Sequence, residues 1–496
     1  MLVEVNSRYC VPASGGFGTA RCGRRASRAR VRAHDEMKLR ASSSTDIAVL
    51  AAAYAAGTRV RDRLGEVLER IDFRDPVWIT GVAPDAILAR ASALDAVAPA
   101  DRAALPLFGI PFAVKDNIDV AGVPTSAGCP AFTYLPERSA TVVEQLERAG
   151  AIALGKTNLD QFATGLVGTR SPYGVPVNPF DSAYIPGGSS SGSAIAVARG
   201  LVSFALGTDT AGSGRVPAGF SGTIGVKPTH GVVSTAGVVP ACRSLDCVSI
   251  FARNIDDAAA VLAVAAVPDA RDPYSRVLPN SAQTRRFADL ESTGAFTFAV
   301  PLAEQRIFFG DDEAARSYER TLARLVALGG TPVDVDLTAC FETAALLYDG
   351  PFVAERTAAV GDFVDAHPDA VLDITRTIIQ SGRRFSAVDT FAALYKLRVL
   401  RGAAAEIFVH APLLVVPTSP TIYRVAEIAA EPYLLNARLG TYTNFVNLLD
   451  LCALAVPADE YANGIPIGVT FIAPAFADAA LLHFGRRFLP ENTSSA

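Results

Sequence analysis

The stretch PGGSSSGSAIAVARGLVSFALGTDTAGSGRVPAGFSGTIGVKPTHG, residues 186–231, decides the fold of this chain. It concentrates serine and glycine at 187–193 and again at 207–214, with an apolar segment between them. Glycine-serine segments often form flexible linkers, but linkers do not usually alternate with apolar segments long enough for a core. Glycines beside serines, next to core elements, indicate a backbone that a ligand can approach closely. Such a backbone directs hydroxyls and N–H groups at the ligand. The pattern predicts a loop, a buried helix, a short strand and a second loop.

Composition excludes several classes of protein. The 496 residues are 50% hydrophobic, with a mean hydropathy of +0.28 and a formal net charge of −5. This is a globular composition without the basic surface that nucleic acid binding requires. The longest uncharged apolar run, near 258–267, is too short to span a membrane. We therefore expect neither nucleic acid nor membrane partners.

Cysteine and histidine usage argues against disulfides and metal. The seven cysteines are odd in number and contain no CxxC pair, and the five histidines show no HxH or HExxH spacing. Buried free thiols in a reduced cytoplasmic protein fit this usage. We expect no structural zinc and no cofactor.

The first 36 residues differ from the rest, because they are rich in arginine, glycine and serine and lack apolar periodicity. They predict either a transit peptide or a disordered leader, or else a mis-assigned start upstream of Met37. Residues 37–490 read as one large domain of alternating helices and strands, beginning with helices within 45–71. The predicted fold class is α/β.

The segment LFGIPFAVKDNIDV, residues 107–120, predicts a strand that carries Lys115 in its middle. Burial lowers the pKa of a lysine because water no longer solvates the ammonium, and a lysine that is neutral near pH 7 is a usable base. A structural ion pair with Asp116 or a distant carboxylate explains the same pattern, and this stretch alone does not decide between the two.

Gly150 to Thr157 match the phosphate-loop pattern GxxxxGK[ST]. A phosphate loop follows a strand and opens a helix, whereas here Ala-Ile-Ala-Leu fills the middle and a helix precedes it. We therefore interpret the match as chance and predict a strand. A nucleotide-binding protein remains the non-enzyme alternative.

Four segments resemble the signature of the amidase signature family: GIPFAVKDNIDV, GAIALGKTNLDQFA, PGGSSSGSA and GTDTAGSGRVPA. The resemblance spans roughly residues 45–475, with its signature core at 105–265. It implies an α/β/α sandwich around a large mixed, mostly parallel sheet. It also implies a catalytic triad of Lys115, Ser189 and Ser213, with a cis peptide between Gly188 and Ser189.

The family's mechanism assigns each of these residues a step. Ser213 attacks the amide carbonyl, Ser189 takes its proton, and neutral Lys115 takes one from Ser189. A serine hydroxyl needs such a base, and no His–Asp pair has a credible motif here. The N–H groups of Thr210, Ala211, Gly212 and Ser213 correspond to the family's oxyanion hole. The other serines, 190, 191 and 193, are expected to form turns or helix caps, while Asp209 and Arg215 are expected to support the loop.

The segments YDGPFVAER, LGTYTNFVNLLDLCALAVP and VVPACRSLDCVSIFA resemble the allophanate hydrolase branch, which places a substrate-pocket region at 335–460. There a tyrosine and an arginine, here Tyr348 and Arg356, hold the substrate carboxylate, and Gly165 and Gly188 join the pocket. A guanidinium pairs a carboxylate bidentately. Spaced eight residues apart on a helix, the two side chains should share a face. The alternative is a surface Glu355–Arg356 pattern beside a core tyrosine.

The resemblance implies hydrolysis of allophanate through an acyl-enzyme, releasing ammonia in the breakdown of urea or s-triazine nitrogen, by a homodimer. Many members carry a further C-terminal domain for the second, decarboxylating step, so we expect that step to be absent, spontaneous or supplied by a separate protein. His230, where the family usually has arginine, and the segment 218–222 depart from the branch. The alternatives are an amidase of carboxybiuret, malonamate or another small amide, a glutaminase-type member of an amidotransferase, and a non-catalytic relative.

Overall fold

A computed structural model of the chain describes residues 45–279 and 294–489. The leader expected at 1–36 lies outside the described residues. Eleven described strands form one sheet in the order β1-β3-β2-β4-β6-β5-β10-β11-β9-β7-β8. The strands are β1 Trp78–Gly81, β2 Pro111–Lys115, β3 Ile152–Thr157, β4 Phe204–Asp209, β5 Ile224–Lys227, β6 Cys247–Ala252, β7 Phe296–Pro301, β8 Gly330–Val335, β9 Leu414–Pro417, β10 Leu451–Glu460 and β11 Pro466–Pro474.

The large mixed sheet is confirmed, but parallel pairing does not predominate. In the described part, four of the ten strand pairs are parallel: β2–β3, β2–β4, β7–β8 and β7–β9. They lie towards the two ends of the sheet, while the pairs from β4 through β6, β5, β10 and β11 to β9 are antiparallel. Antiparallel neighbours need no crossover helix, so the helix–strand alternation that suggests a parallel sheet does not reveal them.

Helices occupy most of the connections between strands, and further helices precede the first strand and follow the last. The α-helices are α1 Ile47–Ala55, α2 Val60–Glu69, α3 Pro84–Asp95, α4 Thr141–Arg148, α5 Ser191–Ala198, α6 Val216–Ser221, α7 Ile255–Ala265, α8 Asp312–Ala327, α9 Thr338–Tyr348, α10 Ala354–Ala366, α11 Asp373–Ser381, α12 Ala387–Ala405, α13 Ile407–His410, α14 Val425–Ala430, α15 Leu434–Leu439, α16 Phe445–Leu448 and α17 Asp478–Phe488. Among residues 45–279 and 294–489, none of these combines the length and the apolarity that a bilayer crossing demands.

The sheet carries a separate apolar core on each face. Val415 of β9 and Leu413, the residue before this strand, join one buried cluster, while Leu414 and Val416 of β9 join another. Successive side chains of a strand point to opposite faces, so this alternation places one core on each side of the sheet. Helices α7 and α17 contribute to the first cluster, and α9 and α16 to the second. Helices therefore cover both faces there, as a three-layer sandwich requires.

Two sequence features fall where the pattern predicts and one does not. The segment Gly150–Thr157 enters strand β3, as the apolar filling indicates, and is not a phosphate loop. The loop, helix and strand predicted around residues 186–214 are α5 and β4 with their flanking turns. Lys115, however, is the last residue of β2 rather than its middle, so its side chain lies where the strand opens into a loop.

Candidate active site

Lys115 lies fully buried at the carboxyl end of β2 and contacts three hydroxyl groups. Its Nζ is 2.7 Å from Ser189 Oγ, 3.0 Å from Ser190 Oγ and 2.8 Å from Thr208 Oγ1. The neighbouring strand β4 supplies Thr208, and the turn before α5 supplies both serines. The structure thus brings Lys115 and Ser189 together, as the signature motifs predict.

Burial lowers the pKa of Lys115 from its ordinary 10.5 to about 7. The buried carboxylates of Asp160, Asp209 and Asp246 oppose this shift, and the charge of Arg356 adds to it. A lysine with such a pKa is substantially neutral at physiological pH and has a lone pair for a proton.

The structural alternative for Lys115, an ion pair with Asp116, is wrong. The Asp116 carboxylate instead contacts Lys156 Nζ at 3.0 Å, and both side chains are fully buried. Lys156 also donates to Thr125 Oγ1 at 2.8 Å. The lysine that would contact phosphate in a nucleotide-binding loop is therefore engaged inside the sheet.

Ser190 is a site residue, although the sequence pattern predicts only a turn or helix-cap role for it. Its hydroxyl donates to Thr208 O at 3.1 Å, so its oxygen is an acceptor towards Lys115 Nζ. A neutral amine has two N–H donors and one lone pair. Ser190 Oγ and Thr208 Oγ1 can accept the two N–H groups, which makes the lone pair available to Ser189 Oγ. No motif could reveal this, because it depends on a carbonyl of another strand.

The turn that carries Ser213 is held by a buried ion pair. Arg215 donates to both carboxylate oxygens of Asp209 at 2.9 Å, and Asp209 accepts the N–H groups of Gly212 and Gly214 at 3.0 Å each. Asn447 adds a bond from its Nδ2 to Asp209 O at 2.8 Å. The sequence predicted the supporting role of Asp209 and Arg215 but missed Asn447, which lies more than 200 residues further along the chain.

Ser213 Oγ donates to Gly165 O at 3.4 Å. In the described part of the chain no hydrogen bond joins the Ser213 and Ser189 hydroxyls, so the relay predicted between them is not formed in this arrangement. The peptide between Gly188 and Ser189 is cis, as the resemblance implies. A Cβ on Gly188 would lie 2.2 Å from Asp160 Oδ2, so only glycine fits there.

The backbone N–H groups predicted to form the oxyanion hole are not all free to donate to a substrate oxygen. The Gly212 N–H is already donated to Asp209, so Gly212 is not a free donor. Its φ of +132° and a Cβ position 2.4 Å from Thr443 Oγ1 explain why the residue is glycine. The N–H groups of Ala211 and Ser213 have no backbone or side-chain acceptor among the described residues.

Arg356 is buried and contacts Tyr348, as predicted for a carboxylate-binding pair. Its guanidinium donates to Tyr348 Oη at 3.2 Å, to Thr164 Oγ1 at 2.9 Å and to Ala163 O at 3.3 Å. No carboxylate forms an ion pair with it within residues 45–279 and 294–489, and its Nε is buried without an acceptor there. The interpretation of Arg356 as a surface residue is therefore wrong.

The two residues do not share one helix. Tyr348 ends α9, a 3-10 turn at Pro351–Val353 follows, and Arg356 lies in the first turn of α10. The chain changes direction at Asp349 and Gly350, and the side chains meet across the junction. Their proximity was predicted correctly for the wrong reason.

The Arg356–Tyr348 pair, called the clamp below, and Ser213 contact two neighbouring residues of the chain. Thr164 accepts from Arg356, and Gly165 accepts from Ser213. Consecutive Cα atoms are about 3.8 Å apart. The guanidinium and the serine hydroxyl are therefore close enough to contact the two ends of one compact molecule. An arrangement of this kind can bind an anion at one end. At the other end it offers a serine, a buried lysine and backbone N–H groups that have no acceptor among the described residues.

Comparison with known proteins assigns this arrangement to a class. The sequence model of the family described as Amidase matches residues 62–482, and this chain belongs to that family. Urea amidolyase of Lachancea kluyveri is 45% identical over 417 residues, which cover 84% of this chain and 22% of that protein. The chain thus spans about a fifth of the length of this relative.

Two further relatives cover more of their own lengths. The structure titled SeMet-substituted Kluyveromyces lactis allophanate hydrolase superposes with a TM-score of 0.84 at 41% identity, over 91% of this chain and 74% of that one. A glutamyl-tRNA(Gln) amidotransferase polypeptide of Symbiobacterium thermophilum is 35% identical, over 81% of this chain and 86% of that polypeptide.

Proposed function

We propose that this chain is an amidohydrolase that cleaves the amide C–N bond of allophanate, urea-1-carboxylate, and releases ammonia. The observation that carries the proposal is the buried Arg356 guanidinium, which has no carboxylate partner among the described residues. It donates to Thr164, and the next residue, Gly165, accepts from Ser213. A buried cation is costly unless an anion pairs with it. A small carboxylated amide supplies that anion and presents its carbonyl to the serine.

The similarity to Kluyveromyces lactis allophanate hydrolase and to urea amidolyase supports this substrate. Allophanate carries a carboxylate and a terminal amide on one short, planar frame. Arg356 and Tyr348 bind the carboxylate. Gly165 presents its carbonyl to Ser213, and Gly188 next to Ser189 packs directly against the Asp160 carboxylate.

Catalysis begins at the lysine. Lys115 accepts a proton from Ser189 Oγ as Ser189 accepts one from Ser213 Oγ, and Ser213 attacks the amide carbonyl carbon. The developing oxyanion accepts the N–H groups of Ala211 and Ser213, with Thr210 flanking them. One such donor is typically worth about 3 kcal/mol in the transition state.

Collapse of the tetrahedral intermediate breaks the C–N bond. Ser189 returns a proton to the nitrogen, which leaves as ammonia, and Ser213 keeps the acyl group. Water then attacks the acyl-enzyme by the same relay and releases the dicarboxylated amine, which breaks down to ammonia and carbon dioxide. Ser213 has to leave Gly165 O and turn towards Ser189 for the relay to form.

The decisive experiment measures ammonia release by the purified protein from allophanate, biuret, malonamate and glutamine. Selective turnover of allophanate is expected, with loss of at least ~10³-fold in Ser213→Ala. Selective turnover of glutamine would favour the glutaminase-type alternative, and turnover of none would overturn the proposal.

The role of Arg356 has an internal control in the substrate. Arg356→Ala should lower kcat/KM for allophanate by roughly 100-fold, mainly through KM, because charge-assisted bonds to the carboxylate are lost. Biuret has an amide where allophanate has its carboxylate and should lose little. An equal loss for both substrates would contradict the clamp.

The cellular setting follows from the thiols and the family resemblance. Five described cysteines are buried and unpaired, which supports a reducing, cytoplasmic compartment.

A further inference from the structure

The turn at residues 241–246, called the connecting turn below, joins the two ends of the candidate active site. Its backbone is closed by the N–H groups of Leu245 and Asp246, which both donate to Cys242 O at 2.8 Å. It leads directly into β6, whose first residue pairs with the last residue of β4. The connecting turn is therefore compact and anchored to the sheet.

One end of the connecting turn holds the turn that carries Ser213. Thr210 donates its hydroxyl to Asp246 Oδ1, and the same carboxylate accepts two N–H groups of the connecting turn at 2.8 and 3.2 Å. Asn447 Nδ2 donates to Leu245 O at 3.0 Å and to the backbone carbonyl before Thr210 at 2.8 Å. All these residues are buried, so water does not compete for the bonds. The connecting turn thus holds the N–H groups beside Ser213 in place.

The other end of the connecting turn holds helix α10, which carries Arg356. Ser244 donates its N–H to Glu355 Oε2 at 2.9 Å and its hydroxyl to Glu355 Oε1. Cys242 Sγ donates to Phe352 O at 3.7 Å, in the 3-10 turn before α10. Consecutive residues of a helix do not face one another. The Glu355 carboxylate therefore fastens α10 to the connecting turn from a different side than the one on which Arg356 meets Tyr348.

Apolar side chains fill the space between the two ends. Cys242 and Leu245 of the connecting turn pack in one buried cluster with Ala211, from the turn of the nucleophile, and with Phe352, beside the clamp. Protein interiors are close-packed, so a displacement at one end of such a cluster is felt at the other. The connecting turn thus acts as one unit that spaces the clamp from the backbone N–H donors.

We propose that the connecting turn fixes the length of the substrate, and that Glu355 is a positioning residue that acts through Ser244; this rests on the proposed function. Allophanate and malonamate each have one atom between the carboxylate and the amide carbonyl, whereas succinamate has two. A fixed spacing between the clamp and the N–H donors accepts the two shorter acids and disfavours the longer one. One additional methylene in a fixed pocket is worth about 10–200-fold in discrimination.

The Ser244–Glu355 contact is the end of the connecting turn that can be loosened without unfolding the site. Asp246 accepts three bonds inside the core, and its removal would leave a buried hydroxyl and two N–H groups without an acceptor. Ser244 and Glu355 are only half-buried, so water can replace their mutual bonds. Substitution of Glu355 therefore lets α10 move relative to the N–H donors without leaving buried groups unpaired.

Calorimetric titration of the full chain carrying Ser213→Ala, which removes the nucleophile, gives the Kd of malonamate and of succinamate. Malonamate is expected to bind at least ~10-fold more tightly than succinamate. Glu355→Gln in the same background should reduce this ratio to within about 3-fold, because Ser244 loses a charged acceptor and the clamp can shift to admit the longer acid. A merely structural role of Glu355 would weaken both acids equally and leave the ratio unchanged.

Asp362→Asn is the matched control, since it makes the same change from carboxylate to amide on α10. Asp362 is exposed, and its side chain has no hydrogen bond or ion pair among the described residues. Its ratio should equal that of the Ser213→Ala protein. Ser244→Ala loosens the same contact from the other partner and should lower the ratio as well. Combined with Glu355→Gln it should lower the ratio no further than Glu355→Gln alone, because both changes act on one interaction.

An unchanged ratio in Glu355→Gln, or an equal fall in Asp362→Asn, would overturn the proposal. Equal Kd values for the two acids in the Ser213→Ala protein, or binding of neither acid, would overturn it as well. Ammonia release from allophanate tests the proposed function separately. A chain that hydrolyses allophanate and shows an unchanged ratio in Glu355→Gln keeps that function and loses only the role of the connecting turn.

Discussion

At the scale of single residues, the structure indicates how the Lys115 amine is oriented as well as which groups it contacts. Its two N–H groups have acceptors in Ser190 and Thr208, which leaves the lone pair for Ser189. We predict that Ser190→Ala lowers kcat by roughly 10–100-fold with little change in KM, because the lysine loses the acceptor that orients it. Steady-state kinetics with allophanate measure this.

Ser191→Ala is the matched control for that variant. Ser191 is the next serine in the chain, and among the described residues its Oγ donates only to Asn158 O, at 3.5 Å. The rate should therefore be nearly unchanged. Equal losses in the two variants would mean that the turn, and not the lysine contact, is sensitive to substitution.

The pKa of Lys115 predicts a pH dependence. Burial lowers it to about 7, and only the neutral form accepts a proton. kcat/KM should therefore rise with pH through about 7 and level off above it. Lys115→Arg, which stays charged, should be inactive throughout. A flat profile between pH 6 and 9, or an active arginine variant, would remove Lys115 as the base.

The same shift has a consequence for stability. The unfolded chain keeps the ordinary lysine pKa of 10.5 and so binds more protons than the folded chain between pH 7 and that value. The contribution of Lys115 to the free energy of unfolding therefore rises with pH across this window and is least favourable below about 7.

Residue types in motifs could be predicted from the sequence, whereas their orientation could not. The signature segments identified Lys115, Ser189 and Ser213 by position. The acceptor role of Ser190 depends on Thr208 O, and the engagement of the Gly212 N–H depends on the Asp209 carboxylate. Both are contacts across a folded turn, and nothing in residue spacing records them.

At the scale of elements, the substrate clamp is built on a junction between two helices. α9 ends at Tyr348 and α10 begins at Ala354, with Gly350 between them. A Cβ on Gly350 would lie 2.6 Å from Leu346 O. We predict that Gly350→Ala raises KM for allophanate several-fold, because the junction has to shift and moves Tyr348 relative to Arg356.

Gly65→Ala is the control for that prediction. Gly65 lies inside α2, where an added Cβ meets nothing within 4 Å. Alanine there should leave KM unchanged and raise the free energy of unfolding by about 0.5–1 kcal/mol, since glycine is the poorer helix former. If KM is unchanged in Gly350→Ala as well, the junction does not position the clamp.

Elements with local signals were predicted well, and their arrangement was predicted less well. Amphipathic spacing located α8, and apolar filling placed Gly150–Thr157 in β3. The pairing of β5 with β10 joins segments more than 200 residues apart, and it is antiparallel. Because pairing direction is set by distant partners, it could not be predicted from local pattern, and the mostly parallel sheet that the resemblance implies overestimates the parallel share.

At the scale of the whole molecule, the described cysteines report on global unfolding. Cys129, Cys242, Cys247, Cys340 and Cys452 are buried and unpaired, and burial raises the pKa of each thiol. They lie in several parts of the fold, from the loop before α4 to β10. A thiol that is both inaccessible and protonated reacts slowly with a disulfide reagent.

Of the seven cysteines, the five among the described residues are buried, so at most 7 − 5 = 2 thiols should be labelled rapidly. We predict that an aromatic disulfide reagent at pH 8 modifies at most two thiols quickly, and all seven after denaturation. The slow phase should follow the rate of unfolding, so it should accelerate with urea and slow when a substrate analogue is bound, because ligand binding favours the folded state. Fast labelling of a third thiol without denaturant would mean that part of the core opens on its own. In that case Cys242, whose Sγ is 3.7 Å from Phe352 O beside the clamp, would be the first residue to map.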